Sequence, residues 1–322
     1  MTATAEADII ILSWNRVEET IAAIQSAVAQ VDVDKRVLIV DQGSTPTNLA
    51  LLKEYVERVD GVELKCLERN VGVPAGRNIA SAMGTARYIV ALDSDAVFAD
   101  EDTVARAVAH MDAHPELCAI GFQIANYFDG TNDYTSWDYP MERDPHERFR
   151  TTRFIGAGHA IRRTTFEAVG GYDETLFFFG EETDLCYRML NTGKRIEYYP
   201  GAKVLHKISP EHRVSWDNGR FFYTVRNTLY TQYKFRTPLP RRVLAAAAFL
   251  VRGFSNSVLK DAARGVFASF TLCNGFQADN AHSDFYRLRP ETWEYILECE
   301  PSRSESVFTK FRRQFVTLPR RA

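Results

Sequence analysis

Short apolar runs alternate with helix-spaced segments through the first hundred residues, and this alternation constrains the fold more than any other feature of the chain. Ile9-Ile10-Ile11-Leu12 is a continuous apolar run, the pattern of a strand buried on both faces of a parallel sheet. Glu18 to Ala29 follows, with Ile21, Ile24 and Val28 at helical spacing. Val37-Leu38-Ile39-Val40, Val62 to Leu67 and Tyr88 to Leu92 read as further strands, with helices over Leu49 to Val59 and Ala75 to Met83 between them. The alternation predicts an α/β fold whose doubly wound, mostly parallel sheet is flanked by helices. Ligands of such sheets bind beyond the carboxyl ends of the strands, so chemistry is sought there.

Those ends are polar. The first strand leads into Ser13-Trp14-Asn15-Arg16, the second into Asp41-Gln42-Gly43-Ser44 and the fourth into Asp93-Ser94-Asp95. No G-x-G-x-x-G or G-x-x-x-x-G-K-[ST] run follows any of them, which leaves dinucleotide-binding and P-loop chemistry unsupported. Asp93 and Asp95 read either as an Asp-rich turn or as ligands of a divalent cation shared with a diphosphate, since hard cations favour carboxylate and phosphate oxygens. The 39 Lys and Arg against 42 Asp and Glu argue against a general nucleic-acid binder. Five scattered cysteines without a C-x-x-C pair suggest neither zinc nor a disulfide framework, so a reducing, cytoplasmic setting is expected. Met1 to Glu6 lacks the basic start of a secretory signal. The longest apolar stretch, Val243 to Val251, is far short of the ~20 residues of a membrane-spanning helix.

From about Gly121 the pattern loosens. Residues 126 to 150 read as loops shaping a cleft, and Phe154 to Ile161 as a glycine-rich strand. Phe166 to Gly170 and Glu181 to Leu190 read as helices, and Ala202 to His206 as a strand. Beyond Pro238 the chain turns helical, which sets a boundary near Thr237 between residues 1–237 and a C-terminal helical extension, 238–322.

Strand–Trp14-Asn15-Arg16, Asp41-Gln42-Gly43-Ser44-Thr45, Asn70-Val71-Gly72 with Ala75-Gly76-Arg77-Asn78, and Asp93-Ser94-Asp95 together resemble the family-2 inverting glycosyltransferases of the GT-A fold. Gly170 to Glu174, Gly180 to Arg188 and Pro200 to His206 continue the likeness, which runs from about residue 8 to 235 and leans toward bacterial polysaccharide and rhamnosyltransferase-like members. The resemblance implies a donor site in which Trp14 packs on the base, Asp41 accepts from its N3–H (favouring a UDP- or dTDP-sugar), and Arg77 lies near the base or phosphates. It places Asp93, Ser94 and Asp95 at the ribose and diphosphate. Mn²⁺ or Mg²⁺ would be held by Asp93, Asp95 and His206. Core packing for Trp14, a turn for Asp41 and a structural role for His206 are the plainer readings.

An inverting transfer needs one base to take the acceptor hydroxyl's proton. In the family an acidic pair at a helix start supplies it, usually Glu-Asp; here the pair is Glu181-Glu182, with Asp184 two residues on. Asp184-Leu185-x-x-Arg188 matches the family's downstream acid-Leu-x-x-Arg, which favours Glu182 as the base and an ion pair for Asp184 with Arg188. A plain cluster of acids at a helix N-terminus is the alternative. Phe221 to Asn227 resembles a helix that follows the catalytic core in polysaccharide branches of the family.

Residues 303 to 321 hold Arg303, Lys310, Arg312, Arg313, Arg320 and Arg321 against Glu305, with Phe308, Phe311 and Phe315 on one helical face. Such a helix either packs on the domain or a second subunit of a homo-oligomer, or lies on the inner face of a membrane, where lipid-linked acceptors are found. The expected activity is a metal-dependent sugar transfer to a hydroxyl of a glycan or lipid-linked acceptor. A nucleotidylyltransferase would show a glycine-rich loop where Ser13-Trp14-Asn15-Arg16 stands, and a silent sugar-nucleotide binding module would not need both sets of acids.

Overall fold

The computed structural model describes residues 5–207, 219–276 and 283–300. The 303–321 segment lies outside them.

Nine strands form one sheet, in the order β3-β2-β1-β4-β8-β6-β9-β5, with β7 paired to β9. The first half is built as β1 (Ala7–Ser13), α1 (Val17–Val28), β2 (Lys35–Gln42), α2 (Pro46–Val56), β3 (Val62–Leu67), α3 (Val73–Ala82) and β4 (Tyr88–Asp93). These strands pair in parallel, and their register sets Ser13 against Asp41 and Leu12 against Asp93. The polar residues that end each run therefore share one edge of the sheet.

The pleat explains the apolar runs. Ile9 and Ile11 pack on one face with Ile24, Val37 and Val90. Ile10 packs on the other with Leu38, Ile89 and Leu185. All three isoleucines are buried, each contributing about 1.5–3 kcal/mol relative to an exposed side chain. The second helix begins at Pro46 rather than Leu49, because proline pre-sets the dihedral of a first helical residue.

The second half comprises β5 (Ala96–Phe98), α4 (Thr103–Ala113), β6 (Leu117–Asn126), β7 (Phe149–Thr151), β8 (Gly158–Arg162), α5 (Arg163–Ala168), α6 (Glu181–Leu190) and β9 (Arg195–His206). Here the sheet is mixed: β8 runs antiparallel to β4 and β6, while β6 and β9 are parallel. The helix expected over Phe166 to Gly170 lies earlier, at Arg163–Ala168, because Gly170 and Gly171 both take positive φ and end it. Strand β9 starts at Arg195, well before the expected Ala202, since its alternating polar and aromatic residues give no apolar run.

Among the described residues four α-helices follow: α7 (Arg220–Lys234), α8 (Leu239–Ser255), α9 (Leu259–Gly275) and α10 (Pro290–Cys299). Phe221, Val225 and Leu229 of α7 pack against Val258 and Ala262. Helix α10 returns to the sheet, where Ile296 joins the main core and the Tyr295 hydroxyl donates to Ile196 O at 2.9 Å.

Candidate active site

The turn after β2 is organised by Asp41, whose side chain is fully buried. Its Oδ1 accepts from Ser44 N at 3.0 Å and its Oδ2 from Ser44 Oγ at 2.5 Å. Ser44 Oγ in turn accepts from Asn15 N (2.9 Å), and Asn15 Oδ1 accepts from Thr45 N (2.7 Å), which ties the loops after β1 and β2 together. Asn15 holds φ 58°. Gly43 is required here: its φ is +73°, and a Cβ would stand 2.7 Å from Arg69 Cα. Beside this turn Trp14 is 53% exposed, so it does not serve as core packing.

Asp93 ends β4, Ser94 sits half-buried in the turn that follows, and Asp95 precedes β5. Antiparallel pairing sets Ala96 against His206, which brings the last residue of β9 to Asp95. His206 Nε2 lies 3.1 Å from Asp95 Oδ1, and Arg16 pairs with Asp95 Oδ2. Burial pushes the Asp95 carboxyl up, but the His206 hydrogen bond and the charges of His206 and Arg16 outweigh it and hold the group at about 2. One oxygen each from Asp93 and Asp95 and one nitrogen from His206 lie within 4.8 Å of one another. Two carboxylates and an imidazole at that spacing fit Mn²⁺ or Mg²⁺, and the nitrogen ligand suits Mn²⁺ better.

Arg77 of α3 is almost wholly buried and sits between this cluster and the acidic pair, rather than as a solvated helix residue. Its guanidinium donates to Asp93 Oδ1 (3.2 Å), Glu182 Oε1 (3.2 Å) and Gly156 O (2.9 Å). Gly156 allows the approach, since a Cβ there would come within 2.5 Å of Glu182 Oε1. Tyr172 faces Arg77 at 5.7 Å, and its hydroxyl meets His159 Nε2 at 3.1 Å. Burial and then Arg77 keep His159 well below its ordinary pKa, hence neutral.

Glu181 and Glu182 open α6. Burial raises Glu182, with Arg77 opposing. Burial and then the Glu182 charge push Glu181 up to about 8, and its Oε2 has no hydrogen-bond partner among the described residues. Asp184 is fully buried and turned away from the cleft. Its Oδ2 accepts from Arg188 Nε (2.9 Å) and a terminal nitrogen (2.7 Å), and its Oδ1 meets Lys234 Nζ at 2.5 Å.

Two residues of α7 support this side: Lys234, which the sequence does not single out, and Asn227, which closes the family-like segment Phe221 to Asn227 without an individual role there. Lys234 is buried between Asp173 and Asp184, 2.5 Å from each, under the rings of Tyr230 and Tyr286. Asn227 Nδ2 reaches the carbonyls of Leu176 (2.9 Å), Phe178 (2.7 Å) and Phe179 (2.5 Å) just before the acidic pair. The helix that carries them mixes polar and aromatic residues, so neither side chain stands out locally.

A parallel α/β half carrying strand-end carboxylates, joined to a mixed half that delivers an acidic pair, is the architecture of the GT-A class. The chain belongs to glycosyl transferase family 2, whose model matches residues 8–170. A second model, the N-terminal domain of galactosyltransferase, matches residues 141–213. A pre-mycofactocin glycosyltransferase of Mycobacterium tuberculosis is 28% identical over 58% of this chain and 40% of its own length, so the chain spans well under half of that relative. A dTDP-rhamnosyl transferase, RfbF of Shigella flexneri, is 26% identical over 63% of this chain and 72% of its own. The mannosyltransferase PcManGT of Pyrobaculum calidifontis, solved with GDP-Man and Mn²⁺, shares the fold with a TM-score of 0.57 at 17% identity, over 94% of this chain and 83% of that one. Among the described residues no helix is long and apolar enough to cross a membrane.

Proposed function

We propose that the protein is a glycosyltransferase that moves a sugar from a UDP- or dTDP-sugar to a hydroxyl of a glycan or lipid-linked acceptor, with inversion. Residues 1–237 are the catalytic unit and 238–322 an extension. One observation carries the reading: the Asp93, Asp95 and His206 ligand atoms lie within 4.8 Å of one another and are linked through Arg77 to Glu182. A cation site and a buried carboxylate joined by one guanidinium meet the two needs of the reaction, a stabilised leaving diphosphate and a base. The dTDP-rhamnosyl transferase relative supports a pyrimidine donor.

Asp93, Asp95 and His206 would hold the divalent cation, which when bound takes up the negative charge of the departing diphosphate. Trp14 offers an exposed ring for the base, and Asp41, oriented by the two bonds its carboxylate accepts from Ser44, receives its N3–H. Arg77 grips Glu182 Oε1, which orients the carboxylate and leaves Oε2 to take the acceptor proton. Glu181, pushed up to about 8, keeps its proton at neutral pH and adds no second negative charge beside the base.

Incubation with sugar nucleotides and Mn²⁺ is expected to release nucleoside diphosphate. Chelator should abolish turnover, and Mn²⁺ or Mg²⁺ restore it. Pyrophosphate as product would mark a nucleotidylyltransferase, and binding without turnover a silent module; full activity in excess chelator removes the metal role of Asp93 and Asp95.

A further inference from the structure

Helices α8 and α9 are apolar on two sides. Their inner sides are satisfied: Phe249 and Leu250 of α8 and Val266 of α9 pack on the Phe221 and Val225 cluster, and the helices cross so closely at Gly253 that a Cβ there would lie 2.6 Å from Ala262 Cβ. Among the described residues, nothing packs on their outer sides in the same way. Val243, Val251 and Phe254 fall at i, i+8 and i+11 on α8, and Leu259, Phe267 and Phe270 repeat that spacing on α9. Phe254 is 75% exposed, Phe267 73% and Phe270 60%. Isolated exposed phenylalanines need no explanation, but two matched stripes on adjoining helices mark an interaction surface.

The charges around the stripes identify what covers them. Between residues 238 and 276 the chain has Arg241, Arg242, Arg252, Lys260 and Arg264 against one acid, Asp261, although its overall net charge is -3. Asp261 is itself paired with Arg264 at 3.5 Å. A two-fold contact with a second copy would set these cations against themselves. Arg242 packs inward over Tyr233 at 5.1 Å, but Arg241, Arg252, Lys260 and Arg264 are exposed. An anionic lipid surface offers both partners at once: headgroup charge for these side chains, and an acyl boundary for the rings.

We propose that the outer faces of α8 and α9 lie on an anionic bilayer, docking the protein as a peripheral membrane protein without a spanning helix. The proposal is independent of the donor and of the chemistry. It is tested by sedimenting the full chain with phosphatidylcholine vesicles, with and without phosphatidylglycerol, at low and high salt. The wild type is expected to sediment with the anionic vesicles, less so at high salt, and to stay in solution with phosphatidylcholine alone. Phe254→Ser, Phe267→Ser and Phe270→Ser combined should weaken binding about tenfold or more with an unchanged melting temperature, because the three rings face solvent. A triple variant that sediments as well as the wild type overturns the proposal, since the lipid contact then lies elsewhere. So does a wild type that ignores anionic lipid, or light scattering that finds a dimer which the triple variant splits.

Discussion

The two groups of acids that meet in the cleft are held by opposite means. Asp41, Asp93 and Asp95 stand at the ends of parallel strands, where the register of β1 with β2 and β4 positions their backbones and near neighbours such as Ser44 and His206 finish the job. Glu181 and Glu182 follow a loop in which Phe177 (φ 60°), Phe179 (φ 69°) and Gly180 (φ 86°) all take left-handed conformations. Non-glycine residues there cost about 1–3 kcal/mol each and persist only when their surroundings over-determine them. Helix α7 supplies that surrounding structure through Asn227, Lys234 and Arg226, the last reaching Leu176 O at 2.7 Å. The donor side thus rests on a backbone ladder, and the acid pair on three side chains.

The largest expected effect separates chemistry from scaffold within α6. Glu182→Gln keeps shape and removes basicity, so turnover should fall by ~10²–10⁴-fold while donor affinity holds. Asp184→Asn should lower the melting temperature and affect turnover less, because that carboxylate serves Arg188 and Lys234. If Asp184→Asn abolishes turnover at an intact melting temperature while Glu182→Gln stays active, the roles are reversed.

Lys234→Met probes the buried Asp173–Lys234–Asp184 contact directly. It leaves Asp173 and Asp184 without their shared buried cation, and removal of one partner from such a network costs about 3–5 kcal/mol. Urea unfolding should show the loss; a change under about 1 kcal/mol would mean that Arg188 alone suffices for Asp184. Asn227→Ala acts more locally, freeing carbonyls that the amide nitrogen now reaches at 2.5–2.9 Å. A stability loss of about 1–3 kcal/mol is expected, with reduced turnover and an unchanged donor Kd. A variant that weakens donor binding instead would show that the two sides are not held separately.

The same contrast decides what can be read from residues alone. Strands β1 to β4 are legible because burial on both faces demands continuous apolar runs, and their ends then point to Asp41, Asp93 and Asp95. Strand β6 is nearly all buried yet broken by Gly121 and Gln123, and the short alanines and valines of helix α4 alternate with Arg106, His110 and Asp112 without a wide apolar stripe, so neither stands out in the sequence. The Glu181-Glu182 pair was visible as a departure from the family's Glu-Asp, and the Asp184–Arg188 pair from its i, i+4 spacing. Lys234 and Asn227 were not, because a lysine or asparagine on an amphipathic helix reads as solvated. Their partners lie about fifty residues away in sequence, and only the fold sets α7 over the loop. Arg77 was singled out, but its place between Asp93 and Glu182 depends on the approach that Gly156 permits.

The smallest expected effect concerns Glu181, where the side chains on the acid side leave a need unmet. Its carboxyl is buried, with Oε2 lacking a partner among the described residues, and burial together with the Glu182 charge raises it from an ordinary 4.5 to about 8. Between those values the folded chain keeps a proton that the unfolded chain has released. Stability is therefore greatest below the window and declines as pH rises through it, flattening above about 8. Glu181→Gln carries no titrating proton at this position, so its slope across the window should be shallower. It should exceed the wild type near pH 8 by on the order of 1–3 kcal/mol, the two converging toward pH 4.5. Urea unfolding at several pH values, with turnover measured alongside, reads both sides of the comparison. Parallel stability curves would mean that Glu181 finds a compensating charge or water in the folded chain, and that the acid side is better satisfied than its side-chain contacts indicate.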